Sequence, residues 1–272
     1  MYKIYKQFAL ALLVTFLANS VIAEAPYILL QSTTSTKNSG LYDFLLPKFK
    51  QKSGIDVRVV AVGTGQAIKN ASNGDADVLI VHAKNREEKF VEQGYGVKRH
   101  ELMYNDFVII GPRSDVAGVH HANKVIEALN IIAKKKSIFV SRGDDSGTHI
   151  KELSLWEMAG VDVTKYSGNW DREAGAGMGA TLNTAVSMNG YAMTDRATWV
   201  SFGNKQSHEI VFEGDPPLNN QYSVIAVNPK IHPHVKFKLV QTFIDWLLSD
   251  YGQQLIGQYR VSNEQLFFPN AK

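Results

Sequence analysis

The sequence predicts an α/β protein of two lobes, each a sheet flanked by helices, the pair hinged by two crossing segments. Three observations lead there. Strand-like and helix-like segments alternate from residue 27 onward, as in sheets covered by helices. Two runs of one form, Phe107-Val108-Ile109-Ile110-Gly111-Pro112 and Tyr222-Ser223-Val224-Ile225-Ala226-Val227-Asn228-Pro229, are apolar strands closed by a proline turn. Between them lies a complete α/β set. The matched runs read as the crossings, which gives a first lobe of residues 24–107 and 224–272 and a second of 108–223. One continuous doubly wound sheet with a long excursion is the alternative.

The elements follow in chain order. Residues 27–30 read as a buried strand. Residues 40–49 place Leu41, Phe44, Leu45 and Phe49 on one helical stripe, with Pro47 marking a kink or an end. Valine-rich residues 57–62 and 78–81 are two further strands, and 86–93 is a charged helix stopped by Gly94. The inserted set comprises helix 124–134, strand 138–140, helix 150–159, a helix near 181–188, and strands 191–194 and 210–212. Amphipathic helices at 240–248 and 251–259 close the chain. Gly175, Gly177 and Gly179 form a flexible loop before a helix. No Lys-Ser/Thr follows them and the stretch before them is not strand-like, so they do not make a nucleotide loop.

Composition bounds the function. Lys3 and Lys6, an apolar run at 8–18 and small residues ending at Ala23 form an export signal, cleaved after Ala23. The apolar run is too short for a membrane span, which takes about 20 residues. There is no cysteine, so neither disulfides nor a lipid anchor on cysteine is available, and a freely diffusing periplasmic protein is expected. Of the formal net charge of +3, Lys3 and Lys6 supply two positive charges that leave with the signal. A basic surface for nucleic acid is therefore not expected. The run Lys134-Lys135-Lys136 reads as a solvated helix end.

Three loops carry the chemistry. The strand at 138–140 feeds Ser141-Arg142-Gly143-Asp144-Asp145-Ser146-Gly147-Thr148, after which a helix opens. Hydroxyls, backbone N–H groups, one fixed positive charge and a helix start meet there, which suits an oxyanion. Ser146 and Thr148 could equally serve as ordinary helix caps. The first strand ends in Gln31-Ser32-Thr33-Thr34-Ser35-Thr36, more hydroxyls than one cap needs, and the second in Gly63-Thr64-Gly65-Gln66. In open α/β sheets ligands bind outside the carboxyl ends of the strands. Loops of this kind on both lobes make a hinged anion trap.

The runs T-T-S-T-x-N-S-G-L, V-x-A-V-G-T-G-Q-A, N-G-D-A-D-V-L-I-V-H-A and S-R-G-D-D-S-G-T-H resemble those of TupA-type tungstate-binding proteins, as do Y-N-D-F-V-I-I-G-P and Y-A-M-T-D-R-A-T-W. The resemblance covers nearly the whole chain after the signal. It implies a type II-like periplasmic binding protein that captures tungstate and delivers it to the permease of an ABC importer. A monomer without a cofactor and without catalysis is expected. Thr34 and Ser35 match the family's hydroxyl loop, Arg142 its positive anchor, and Ser146, Gly147 and Thr148 the opposing donors. Gly63 and Thr64 are expected to contribute backbone groups, and Thr194 is read either as a donor or as a helix cap.

Phosphate binders share a pattern like R-x-D-x-S-G-T, which Arg142, Asp144, Ser146, Gly147 and Thr148 reproduce. Phosphate keeps a proton on much of its population near neutral pH and benefits from a carboxylate acceptor; tungstate and molybdate carry none. Where phosphate binders place that acceptor this chain reads Val81-His82-Ala83, which favours a fully ionised dianion. Asp144 is then an orienting partner for Arg142, and His82 either a satisfied structural histidine or a donor. Molybdate, phosphate and sulfate remain the rival ligands. A hydrolase using Ser146 lacks the G-x-S-x-G elbow. His120-His121 and His232-Pro233-His234 lack metal-ligand spacing and are expected in exposed loops.

Overall fold

A computed structural model of the chain describes residues 25–271, so the segment expected to be an export signal lies outside the described residues. Three valine- and leucine-rich strands, β1 (Tyr27–Thr33), β2 (Asp56–Val62) and β3 (Val78–Val81), run parallel with β1 in the middle. Between them lie helices α1 (Thr34–Asn38), α2 (Leu41–Ser53) and α3 (Thr64–Asn73); α4 (Lys84–Glu92) follows β3. Parallel pairing brings all three carboxyl ends, at Thr33, Val62 and Val81, to one edge. Helix α2 continues through Pro47 to Ser53, beyond the predicted end. Its far half is held by Phe49, fully buried against Phe243 and Trp246 at ring distances of 4.9 and 5.2 Å. Burying such a side chain contributes roughly 1.5–3 kcal/mol, comparable to the cost of an interior proline.

Strand β4 (Gly96–Pro112) has 17 residues and spans roughly 55 Å, enough to traverse both lobes. From Gly96 to Asp106 it pairs with β9 (Asn219–Val227), which in turn pairs with β3. From Phe107 onward it pairs with β7 (Ala192–Asp195) and β8 (His208–Phe212). The first sheet thus has the order β2-β1-β3-β9-β4, with β12 (Phe268–Pro269) on the outer edge of β4. The first crossing falls at 106–107. The second falls earlier than residue 224: Leu218 belongs to the core of the second lobe, Asn219 already faces Asp106, and Tyr222 lies in the core of the first.

In the second lobe β5 (Phe139–Ser141) pairs in parallel with β6 (Asp171–Glu173), and Phe139 bridges to Tyr191 just before β7. Helices α5 (Val125–Lys135), α6 (Gly147–Met158), α7 (Met178–Ser187) and α8 (Arg196–Ser201) surround this sheet, and α9 (Phe237–Leu248) and α10 (Asp250–Gln258) return to the first lobe. The stretch before the glycine cluster, read as not strand-like, contains β6. A short hairpin, β10 (Arg260–Val261) and β11 (Glu264–Gln265), was also not foreseen. Of the histidines expected in exposed loops, His234 is exposed but His232 is half-buried; their Nε2 atoms meet Gly74 O and Ser72 O at the end of α3 (2.8 and 2.9 Å). Among the described residues no helix is long and apolar enough to cross a membrane.

One guanidinium clamps the hinge. Arg196 donates through Nε and Nη2 to both oxygens of Asp106 (2.9 and 2.6 Å) and through Nη2 to Glu213 (2.5 Å). Asp106 sits at the first crossing and Glu213 on the segment leading to the second. A bidentate charge-assisted pair fixes the angle between its partners as well as their distance.

Candidate functional site

The first wall of the cleft comes from the carboxyl ends of β1, β2 and β3. The hydroxyl run after β1 divides by direction. Ser32 is bonded to the Tyr42 hydroxyl (2.6 Å), and Thr33 to the Thr36 hydroxyl (2.7 Å), both buried. Thr33 also caps α1 by accepting from Thr36 N. Thr34 and Ser35 face the cleft, Ser35 Oγ lying 3.2 Å from Thr33 Oγ1, with the first-turn N–H groups that have no intrahelical partner. Gly63 caps α3 without a side chain, and Thr64, 2 % exposed, opens that helix.

The second wall is the loop from β5 into α6. Gly143 has φ +58°, and a methyl there would lie 2.8 Å from Glu173 Cβ, so only glycine fits. The turn leaves Arg142 9 % exposed, with Nε donating to Ala176 O (2.9 Å) and Nη2 paired to the Asp144 carboxylate. Neither bond uses Nη1. Burial alone would raise the Asp144 pKa, but hydrogen bonds from Ser146 and Arg142 and the guanidinium charge hold it below the usual carboxylate range. Ser146 Oγ accepts from His149 N (3.2 Å), which leaves the Gly147 and Thr148 amides at the helix start without an intrahelical acceptor.

The walls meet. Thr34, Ser35, Gly63, Thr64, Arg142, Ser146, Gly147 and Thr148 line one cleft of about 360 Å³. A methyl at Gly147 would stand 2.7 Å from His82 Cε1 and 3.1 Å from Thr64 Oγ1, so the start of α6 touches the opposite lobe. At the rim Arg86 Nη2 donates to Asp145 Oδ1 (3.0 Å) across the gap. Two carboxylates line the cleft, Asp144 held by Arg142 and Asp145 by Arg86, the latter side chain 76 % exposed. What faces a ligand is therefore a guanidinium, hydroxyls and the positive ends of helices.

His82 completes the floor between the walls. Asn220 donates through its amide nitrogen to Asn105 Oδ1 (2.7 Å), so its oxygen faces His82 Nδ1 (3.0 Å) and accepts a hydrogen bond from it. The ring lies against Tyr222 at 4.8 Å. Burial lowers its pKa to about 4, outweighing the Asn220 hydrogen bond, so the imidazole is neutral near neutral pH. Its Nε2 is buried without a partner.

Similarity to known proteins agrees with this geometry. A family model described as a PBP superfamily domain matches residues 20–251. The tungstate-binding protein TupA of Peptoclostridium acidaminophilum is 44 % identical over 248 residues, covering 90 % of this chain and 86 % of that protein. The chain belongs to the TupA family. Among solved structures, the TupA tungstate-binding protein of Desulfovibrio alaskensis G20 superposes with a TM-score of 0.83 at 44 % identity, covering 91 % of this chain and all of that one. The tungstate ABC transporter structure from Geobacter sulfurreducens gives 0.78 at 47 % identity, covering 86 % and 98 %.

Thr194 of this TupA-family chain does not line the cleft. It is fully buried and its hydroxyl donates to Asp195 O (3.2 Å). The cap of α8 is Asp195, which accepts from Thr198 N and Oγ1 (2.9 and 2.6 Å). Sequence reasoning missed Gly177, which caps α7 and lines the cleft beside Arg142. A glycine run between a strand and a helix was the available signal. The three-residue strand before it leaves little pattern in the sequence.

Beneath Arg142 lies Glu152 of α6, 2 % exposed, whose Oε2 accepts weakly from Arg142 N (3.4 Å). Burial, reinforced by Asp171 and opposed by a Ser141 hydrogen bond, pushes its pKa to about 8. The folded chain thus holds a proton there that the unfolded chain loses near pH 4.5. The stabilisation is complete below that pH and is lost as pH rises through about 8. Glu152→Gln removes the titration. The variant is expected to match the parent in urea unfolding at pH 5 and to exceed it at pH 9 by on the order of 2–4 kcal/mol. Equal pH slopes for the two would refute the assignment.

Proposed function

We propose that the chain captures tungstate, a proton-free tetrahedral dianion, between its lobes and hands it to the permease of an ABC importer. The observation that carries this reading is the donor set. One buried guanidinium and the starts of α1, α3 and α6 converge from both lobes, and each lining carboxylate is already paired with an arginine. A proton-free anion needs donors alone, and the TupA relatives named above supply its identity. In this reading the protein is exported after cleavage at Ala23, works as a monomer, and needs no cofactor because the anion is cargo. Binding is favoured over hydrolysis by the surroundings of Ser146. Its Oγ accepts from His149 N, and His149 Nδ1 accepts from Asp145 N (3.1 Å), so this imidazole is not poised to take a proton from the serine.

Thermal unfolding with and without anion tests the reading. A ligand at 100 times its Kd stabilises by about 2.7 kcal/mol. For a chain of this size that corresponds to a rise in Tm of roughly 5–10 °C. Tungstate is expected to give this rise, while equal phosphate leaves the transition in place. A shift with phosphate as large as with tungstate would refute the selectivity argument.

A further inference from the structure

A second cleft lies between the lobes, on the far side of the wall formed by His82 and Gly147. It has a volume of about 330 Å³. Its charged lining residues are Lys84 and Arg86 from α4 and Lys151 from α6, with the amides of Asn85, Asn219 and Gln221 between them. No carboxylate lines it. Lys84 reaches Glu88 at 3.8 Å and Arg86 is shared with Asp145, both in exposed pairs that contribute little. Lys151 is half-buried, and among the described residues no carboxylate lies within ion-pair distance of its ammonium. Burial disfavours its charged form and lowers its pKa.

We propose that this cleft is a second, weaker site for a small oxyanion, held by Lys151 from one lobe and by Lys84 and Arg86 from the other. Three cations gathered across a closing gap repel one another, and the repulsion is strongest when the lobes are together. A dianion between them reverses the sign of that interaction and ties the lobes at a point the first anion does not reach. The amides of Asn85 and Asn219 supply donors without adding negative charge, while the Gln221 amide nitrogen is held by Met103 O and Tyr222 O (2.9 and 2.8 Å). The site lacks the buried guanidinium of the first, although the first turn of α4 lines it. It is therefore filled at tungstate concentrations on the order of 100-fold higher, and it weakens with added salt.

The inference rests on the proposed function for its probe, tungstate, and for the count of one anion in the first cleft. Equilibrium dialysis against tungstate at low ionic strength, with tungsten counted per chain, separates the two ideas. The parent is expected to approach two anions, Lys151→Gln one tight anion, and Arg142→Ala to lose the tight anion and bind only in the weak range. Lys134→Gln, in the lysine run at the end of α5, is expected to keep both. Unfolding without anion checks that each variant is folded. A parent that stops at one anion overturns the second site and leaves the first intact. Two anions on Lys151→Gln, or an equal loss on Lys134→Gln, overturns its placement. If Arg142→Ala keeps its tight anion while Lys151→Gln loses the weak one, the second site stands and the first assignment fails.

Discussion

Arg142→Ala is expected to weaken tungstate binding by roughly 30-fold to several thousand-fold while leaving the anion-free protein folded. Removing one partner from a buried charge pair costs about 2–5 kcal/mol, because the other charge stays behind without compensation. Two charges stay behind here. The dianion loses the guanidinium, and Asp144, whose Oδ2 is held by Arg142 Nη2, becomes an unpaired carboxylate on the lining of the cleft. Asp144 keeps its hydrogen bond from Ser146 N (3.2 Å), so it remains in place and repels the ligand. The double variant Arg142→Ala with Asp144→Asn should therefore recover part of the affinity. Arg142→Lys should fall between parent and alanine, since an ammonium keeps the charge but cannot serve Ala176 O and Asp144 with one planar fork. Calorimetric titration reads all three. An alanine variant that titrates like the parent removes Arg142 from the site.

The loops carrying this chemistry were legible because each combines a strand end, small or hydroxyl residues and a helix start within a few positions. Thr34, Ser35, Gly63, Thr64 and the segment from Arg142 to Thr148 follow local rules, and parallel pairing of β1, β2 and β3 gathers their lobe without further information. Long-range pairing was not legible. The first half of β4, Val-Lys-Arg-His-Glu-Leu after Gly96, is too charged to read as a strand, yet β9 and β12 flank it. Thr194 and Asp195 are both credible caps. A strand turns successive side chains to opposite faces, so a shift of one position decides which of them caps α8. His82 posed a third kind of problem. Its neutral state comes from burial and its tautomer from Asn220 of β9, which is itself oriented by Asn105 of β4.

Gly147→Ala is expected to separate binding from folding, with opposite signs. Gly147 opens α6 without positive φ, and alanine is favoured over glycine within a helix by up to about 1 kcal/mol. The anion-free protein should therefore unfold at the same temperature as the parent or slightly above it. Bound protein should suffer. The added methyl lies 2.7 Å from His82 Cε1, 3.1 Å from His82 Nδ1 and 3.1 Å from Thr64 Oγ1, all on the opposite lobe. His82 cannot yield easily, being bonded to Asn220 and backed by Tyr222, and Thr64 is buried at the start of α3. Overpacking of this kind costs about 1–3 kcal/mol, which here falls on the closed arrangement and lowers affinity by roughly 5- to 150-fold. The contact exists only while the lobes are together, so the penalty disappears when they part. Gly147→Val should enlarge the loss of affinity through its additional methyl groups. Unfolding without anion and titration with tungstate decide the matter together: a loss of both would mark a folding defect, and unchanged affinity in the valine variant would mean the lobes need not meet at Gly147 to hold the anion.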